Sequence, residues 1–532
     1  MMTGKNILFA GRTITIIMAL SALIFISCVK PEEEPFERLL EDQVIDSKIF
    51  SSSVKYAVLL PEGYDSTTES YPVVYLLHGY GDDQTSWYKY GLIKYFSDLY
   101  ADENVPMIFL MPQGFNSYYV NRSSGNLPYM DFFTKELVPE IDSLFRTKKE
   151  ASQRAVMGYS MGGYGALILP EKNPDLFSIS VSLSMSWRTD SQYMAEPQEV
   201  FDIQWGLIFG GLKATGADRL TTYYKEYSPF HFFDTDDITP YTGIRMLMDC
   251  GDDEESLTVT AVALHNLMLE KGITHEFRVR NGGHSWDYWK RSMPEALHFI
   301  SCGFQGIDYP VEPESVEIEK MISASRYQIV DIEGTNLNPG IFLPEDYATS
   351  EKNYPVIYFF NDYEGVDRIE EAFSVLSFIH NSVLKGSLPA SLIIEIPVVT
   401  ALTEQDLSDV IEYVTASYMT LAGREGKVFL GNGRGAGELA KLAAGFTGEV
   451  NSCFLFDAES ETALQLADSL FYYVDYTDKS SDYDVNYQLY LQLRNKDIEH
   501  EYRVRQGTPG LTSFINGING SLSYLSKQLK SE

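Results

Sequence analysis

The sequence predicts an α/β protein with a mostly parallel sheet, and it predicts that plan twice. Three observations carry the reading. Short apolar runs of strand length alternate with stretches of helical periodicity, the pattern of a parallel sheet covered on both faces. A Gly-rich turn follows one of those strands and opens a helix. The second half of the chain repeats the first. YPVVYLLHGYGDD around Pro72 returns as YPVIYFFNDYEGV around Pro355, and LLPEGY returns as FLPEDY. VMGYSMGGYG (156–165) returns as FLGNGRGAGE (429–438), and HEFRVRNGGHSWDYW (275–289) returns as HEYRVRQGTPGLTSF (500–514). Two copies of one supersecondary plan are expected to share one fold.

In the first copy, Val73–Leu77 and 107–111 are apolar runs of buried-strand length, bounded by Pro or Gly. Between 131 and 145, Phe133, Leu137, Ile141 and Leu144 recur at helical spacing. Residues 154–157 read as a strand entering the turn, and 162–169 as a helix that Pro170 stops. Ile179–Leu183 and 246–248 read as further strands, and 258–271 as a helix with Gly272 at its stop. Residues 274–279 form the last strand, running into Asn281-Gly282-Gly283-His284. The second copy has dropped a segment between its Gly-rich turn and its last strand. In the first copy that interval, 187–243, holds Trp187, Trp205, Tyr223, Tyr224, Tyr227, Phe230, Phe232 and Phe233. Its length suggests a cover over substrate, against the plainer reading of a packed excursion.

With 532 residues, 44% hydrophobic content and a mean hydropathy of −0.15, the chain is long enough for several full cores. A net charge of −34 disfavours nucleic acid and anionic membrane surfaces as partners. Lys5 and Arg12 lead a short apolar run ending in Phe25-Ile26-Ser27-Cys28, a signal segment rather than a spanning helix. The Cys after Ser27 resembles a bacterial lipoprotein cleavage site with Cys28 lipidated. Lys30-Pro31-Glu32-Glu33-Glu34 resembles the export signal of surface lipoproteins in Bacteroidetes-type bacteria. The expected division is therefore a signal segment 1–28, a tether 29–35, a first domain 36–306, a Pro/Glu-rich linker 307–321 and a second domain 322–532. The expected location is the outer membrane or cell surface, with the lipid on Cys28 as membrane contact. Cys250, Cys302 and Cys453 have neither disulfide nor zinc spacing and read as small core residues.

The chemistry concentrates in the first copy. Gly158-Tyr159-Ser160-Met161-Gly162 fits G-x-S-x-G between a strand and a helix, where a nucleophile elbow presents its serine at the sheet's carboxyl edge. The helix N-terminus behind it offers N–H groups to a developing oxyanion. A serine hydroxyl needs an adjacent base. His284, late in the chain in a Gly-Gly-His loop, is the best of eight histidines, while His78 suits a shaping role. The acid should follow the strand before the 258–271 helix, where Cys250-Gly251-Asp252-Asp253-Glu254-Glu255 offers four carboxylates.

Residues 50–303 resemble the esterase D family of α/β-hydrolases. The resemblance rests on His78-Gly79-Tyr80-Gly81, Gly158–Gly163, Tyr227-Ser228-Pro229, Asp249-Cys250-Gly251 and Gly282-Gly283-His284. The family includes S-formylglutathione hydrolases, feruloyl and acetyl-xylan esterases, siderophore esterases and mycolyltransferases. The resemblance implies an α/β-hydrolase fold with Ser160 as nucleophile, His284 as base and the N–H groups of Tyr80 and Met161 as oxyanion hole, without cofactor or metal. The family's acid falls three residues after the Gly of the CG turn, which here is Glu254 rather than an Asp, so Asp253 stays open as the alternative. In the second copy Gly433, Lys479 and Pro509 align with Ser160, Glu254 and His284, which implies a degenerate, non-catalytic hydrolase-like domain. The leading expectation is a serine carboxylesterase acting on feruloyl or acetyl decorations of glycans, with Trp87, Tyr118, Tyr119, Trp286 and Trp289 available to stack on substrate. Acyl transfer, siderophore-type esterase activity and a non-catalytic glycan-binding surface lipoprotein are the alternatives.

Overall fold

A computed structural model describes residues 38–91, 105–335, 337–362, 365–398, 402–459 and 465–530. The signal segment, Cys28 and the tether 29–35 lie outside the described residues.

Sixteen strands form one sheet. The first eight are β1 (Leu39–Ser47), β2 (Ser52–Leu59), β3 (Val73–Leu77), β4 (Ile108–Pro112), β5 (Arg154–Tyr159), β6 (Ile179–Leu183), β7 (Arg245–Gly251) and β8 (Glu276–Arg280). The second eight are β9 (Tyr327–Ile329), β10 (Gly340–Phe342), β11 (Val356–Asn361), β12 (Leu392–Pro397), β13 (Lys427–Asn432), β14 (Ser452–Phe456), β15 (Phe471–Thr477) and β16 (His500–Arg505). The first half runs β1-β2-β4-β3-β5-β6-β7-β8 across the sheet. The second runs the same order from the far edge, β9-β10-β12-β11-β13-β14-β15-β16. Within each half the central strands are parallel, and the outer strands β1, β2, β9 and β10 pair antiparallel. The central strands β3, β5, β11 and β13 are buried along their whole length, as strands covered on both faces require.

The halves meet where β8 and β16 pair antiparallel at Val279 and Val504, equivalent residues of the two copies. The junction therefore has local two-fold character. Asp478 takes the Phe277 N–H at 3.2 Å and the Arg278 guanidinium at 2.6 Å. Its counterpart Asp252 takes the Tyr502 N–H at 3.4 Å and the Arg503 guanidinium. Each carboxylate also accepts an N–H from its own copy, Gly282 to Asp252 at 3.0 Å and Gly507 to Asp478 at 3.1 Å. On one face a single apolar layer runs from Ile45 to Val504 through both halves. On the other, each half has its own layer, under α3 (Trp286–Gln305) and α6 (Leu511–Leu529).

Helix α1 (Met161–Lys172) follows β5. It continues through Pro170, where the sequence predicts a stop. Proline cannot bond the Ala166 carbonyl, and the Ser180 hydroxyl of β6 takes it instead at 2.8 Å. The 131–145 stretch is likewise not one regular helix, because a π-turn at Phe133–Leu137 interrupts it. Helix α2 (Ser256–Glu270) ends before Gly272, whose φ of 70° supplies the left-handed stop. The second copy's α4 (Arg434–Leu442) and α5 (Tyr483–Asn495) stand where α1 and α2 stand in the first.

The 187–243 segment folds into short helices between β6 and β7. Trp187, Trp205, Tyr224 and Phe233 are fully buried within it, and the Trp187 ring stacks on Tyr164 at 4.3 Å. These aromatics are the segment's own core. Residues 307–321 hold neither helix nor strand and are strapped to the second copy, with Glu312 accepting from Thr508 and Asn516 bonding both Glu314 and Val316.

Asp478→Ala should destabilise the protein by about 3 kcal/mol, because it leaves the buried Phe277 and Gly507 N–H groups without an acceptor and unbalances Arg278. A lower urea midpoint for the first unfolding transition is the expected result, and an unchanged midpoint would mean that the junction charges are not coupled.

Candidate active site

The turn from β5 into α1 is tight enough that side chains are excluded from most of it. A Cβ on Gly162 would collide with the Leu77 carbonyl, and one on Gly158 with the Gly162 carbonyl. Ser160, between them, holds φ 57° and ψ −119°, a conformation that costs a non-glycine residue about 1–3 kcal/mol. Its backbone is fixed on both sides, the N–H donating to Leu183 O at 2.9 Å and the carbonyl accepting from Ser186 N at 2.9 Å. The turn places Ser160 at the carboxyl end of β5, directly before the first-turn N–H groups of α1, Met161 among them.

Beyond β7 a 3₁₀ turn, Asp252–Glu254, carries the acid. The Glu254 side chain is fully buried. Its Oε1 accepts from Gly251 N at 2.8 Å and from the Ser184 hydroxyl at 2.6 Å, and its Oε2 meets His284 Nδ1 at 2.8 Å. Glu254, not Asp253, is thus the carboxylate on His284. Asp253 points to solvent, and burial in its loop raises its carboxyl above the ordinary value. His284 Nδ1 faces Glu254, which leaves Nε2 as the ring nitrogen turned to the open side, and 37% of the side chain remains open to solvent. His284 and the serine are linked through Trp289. That ring lies 5.1 Å from His284 and 4.3 Å from Tyr159, the residue before Ser160, and its Nε1 donates to Ser184 Oγ at 2.8 Å. Ser184 is a site residue that the sequence does not announce. It is one of several serines at a strand end, and only its position between Glu254 and Trp289 gives it a role.

His78 is fully buried and shapes the facing loop. Gly114 N donates to its Nε2 at 2.7 Å, so the proton sits on Nδ1 and points at Gly79 O, 2.8 Å away. Burial lowers its pKa, which keeps the ring neutral. The same loop is tied by Gly81 N to Asn116 Oδ1 at 2.8 Å and presents Tyr80. Of the aromatics expected to stack on substrate, Trp87, Tyr118, Tyr119 and Trp289 are buried core. Trp286 alone is half-exposed, and it stacks on exposed Tyr90 at 4.6 Å. Tyr80, singled out in the sequence only for its N–H, and Phe115, not singled out there, are each 38% exposed and add apolar surface.

The equivalent place in the second copy keeps the backbone and fills the space. Gly433 has φ 54° and ψ −125°, and its N–H donates to Phe456 O at 2.9 Å, as Ser160 does to Leu183. The Arg434 N–H, counterpart of Met161 N–H, donates to Asp362 Oδ2 at 3.1 Å, and Arg434 Nε bonds Asp362 Oδ1 at 2.6 Å. A Cβ on Gly433 would run into that carboxylate. The alignment of Lys479 with Glu254 is corrected by one residue. Lys479 N bonds Gly507 O at 3.2 Å as Asp253 N bonds Gly282 O at 3.1 Å, so Lys479 matches Asp253 and Ser480 stands in the place of Glu254.

Among the described residues no group of three or more His, Cys, Asp or Glu is placed to hold a metal ion, and no helix is long and apolar enough to cross a membrane.

Residues 47–300 match the family described as putative esterase. A xylanase/feruloyl esterase of Xylanibacter ruminicola is 37% identical over 131 residues, 23% of this chain and 18% of that protein. An esterase of Mycobacterium tuberculosis is 35% identical over 163 residues, 29% of this chain and 35% of that protein. An acetyl esterase of Caldicellulosiruptor saccharolyticus is 26% identical over 247 residues, 44% of this chain and 86% of that protein. The chain thus spans about a third or less of the first two relatives. A solved ferulic acid esterase is 24% identical with a TM-score of 0.42, covering 50% of this chain and 98% of its own.

Ser184→Ala would strip Trp289 Nε1 of its acceptor and Glu254 of one donor, both in buried surroundings. A loss of about 1–3 kcal/mol is expected, read as a lower urea midpoint with the far-ultraviolet spectrum unchanged. No shift would mean that the Ser184 hydroxyl does not bridge the two groups.

Proposed function

Residues 47–300 being an esterase-like α/β-hydrolase domain, we propose that the protein is a serine carboxylesterase that removes feruloyl or acetyl groups from polysaccharides or oligosaccharides. The observation that carries the reading is the buried Glu254 carboxylate on His284 Nδ1, on the same sheet edge as a serine in strained elbow geometry. In the proposed reaction His284 Nε2 takes the Ser160 hydroxyl proton as Oγ attacks the ester carbonyl. Glu254 keeps the imidazolium in register, and the N–H groups of Tyr80 and Met161 receive the oxyanion. The carbon–oxygen bond to the alcohol then breaks, and His284 returns the proton to the leaving alkoxide. Water, deprotonated by the same Nε2, releases the acid from Ser160.

The glycan and acyl assignment draws on the feruloyl and acetyl esterases among the relatives and on the half-open Trp286–Tyr90 stack, which suits an aryl group or a sugar face. Lipidation at Cys28 and placement at the outer membrane or cell surface belong to the same proposal, since they would bring the enzyme to esters outside the cell. The second copy is proposed to be non-catalytic, because Gly433, Ser480 and Pro509 supply no nucleophile, acid or base.

The test is fluorophosphonate labelling and hydrolysis of aryl acetate, methyl ferulate and acetylated xylan by protein lacking residues 1–28. Ser160→Ala should abolish labelling and lower kcat by at least about 10³-fold, and Glu254→Gln should lower it about 10²–10⁴-fold. Wild-type protein that neither labels nor hydrolyses any of the three would sink the esterase. Gly433→Ser should gain no labelling, because Asp362 occupies the space its hydroxyl needs.

A further inference from the structure

The acid loop and the histidine loop of the first copy are tied directly to each other. Asp252 Oδ1 accepts from Gly282 N at 3.0 Å, and Asp253 N donates to Gly282 O at 3.1 Å. Gly251 and Gly282 approach so closely that a Cβ on Gly251 would collide with the Gly282 carbonyl. Glu254 directly follows the bonded residues on one side, and His284 follows Gly282 by two residues on the other. Any force on Asp252, Glu255 or Asn281 therefore reaches the Glu254–His284 bond.

All three of those residues are held from the second copy. Asp252 receives Arg503 and the Tyr502 N–H. The Glu255 carbonyl receives Arg494 Nη1 at 2.6 Å, and Asn281 Nδ2 donates to the Tyr524 hydroxyl at 2.7 Å. Glu255 has φ 49° and ψ −108°, a conformation that persists only where surrounding contacts over-determine it. The Asp252 contact has a mirror in Asp478, as the two-fold character of the junction requires. The Arg494 contact has none. NKDIEH (495–500) aligns with EKGITH (270–275), which places Leu269 of the first copy opposite Arg494 of the second. The cation is present only on the copy that has a neighbour's acid loop to hold.

We propose that the second copy is a positioning device for the active one, and that Arg494, with Tyr524 in support, holds the loop that sets Glu254 against His284. The proposal rests on the esterase reading above. It also gives a degenerate half a reason to remain attached, since a first copy released from it would lose all four of these contacts on the loops around Glu254 and His284.

Arg494→Gln and Arg494→Lys test this in the full chain, with Tyr524→Phe as a second, milder variant. Arg494 donates to a carbonyl at the half-buried rim, so its removal strands no buried charge. For Arg494→Gln, kcat per fluorophosphonate-titrated site should fall about tenfold with KM unchanged. Arg494→Lys, which can still donate, should recover most of that rate, and Tyr524→Phe should show a smaller fall. A merely structural role would instead lower the fraction of titratable sites while leaving kcat per site alone, and that result overturns the proposal. So does wild-type kcat per site in both Arg494→Gln and Tyr524→Phe. Wild-type protein without Ser160-dependent labelling or turnover overturns the esterase reading, and this one with it.

Discussion

The pairing of β8 with β16 is the constraint on which the rest of the structure depends. A parallel sheet that ended at β8 would expose an edge of unpaired N–H and C=O groups beside the histidine loop. Here the edge is closed by its own duplicate, and the closure is bought with buried charge. Arg278 and Asp478 sit almost entirely out of water, with side-chain exposures of 3% and 0%. Such pairs add little net stability over a well-packed apolar contact, but they tolerate very little misregister. A one-residue slip between β8 and β16 would part Asp478 from Phe277 N and Asp252 from Tyr502 N at once. The junction is therefore better understood as a register lock than as glue, and the loops next to it inherit its precision.

Fold and chemistry separate cleanly between the two copies. The strand order, the strained turn at Ser160 and Gly433, and the tight approach of the following helix are present in both. What differs is where carboxylates sit. In the first copy Glu254 takes the Gly251 N–H and stands under His284. In the second, Asp457 reaches from the β14 end to take the equivalent Thr477 N–H at 2.7 Å, and Asp362 takes the N–H at the head of α4. The backbone donors that an acyl-transfer site would use are still there, and acidic side chains have moved in to satisfy them. A buried N–H left unpaired costs about 1–3 kcal/mol, so the carboxylates that meet these donors stabilise the second copy.

What the sequence could reveal follows from how local each feature is. Ser160, its glycines and His284 stand in short motifs whose geometry is set by neighbours in the chain, and the repeat made their contrast with Gly433 and Pro509 plain. The acid was narrowed to Glu254 or Asp253 and no further, because choosing between adjacent residues on a 3₁₀ turn needs the direction of the side chain. Ser184 and Trp289 were illegible as partners, since their bond spans β6 and α3. Pro170 misled because its cost was removed by Ser180, ten residues away on another element. The segment 187–243 drew attention by its length, its absence from the second copy and its aromatics, and none of these separates rings that pack on each other from rings that face a ligand. The junction between copies was invisible, because HEFRVR and HEYRVR give no hint that they pair with one another.

The hydrogen bonds around Glu254 show how a glutamate meets His284 where the resemblance led to expect an aspartate. The longer side chain starts one methylene farther from its partner, which is tolerable only if the carboxylate is aimed by other bonds. Gly251 N and the Ser184 hydroxyl hold Oε1, so the remaining oxygen has a single direction left, toward His284. An oriented carboxylate in a dry pocket fixes the imidazole tautomer without needing to take its proton. Ser184 is in turn held by Trp289, and Trp289 packs on Tyr159 beside Ser160. Contacts through Ser184, Trp289 and Tyr159 run from Glu254 and His284 round to the residue before Ser160. That ring of contacts, rather than any one hydrogen bond, is what keeps two loops and an elbow from three separate strands in working register.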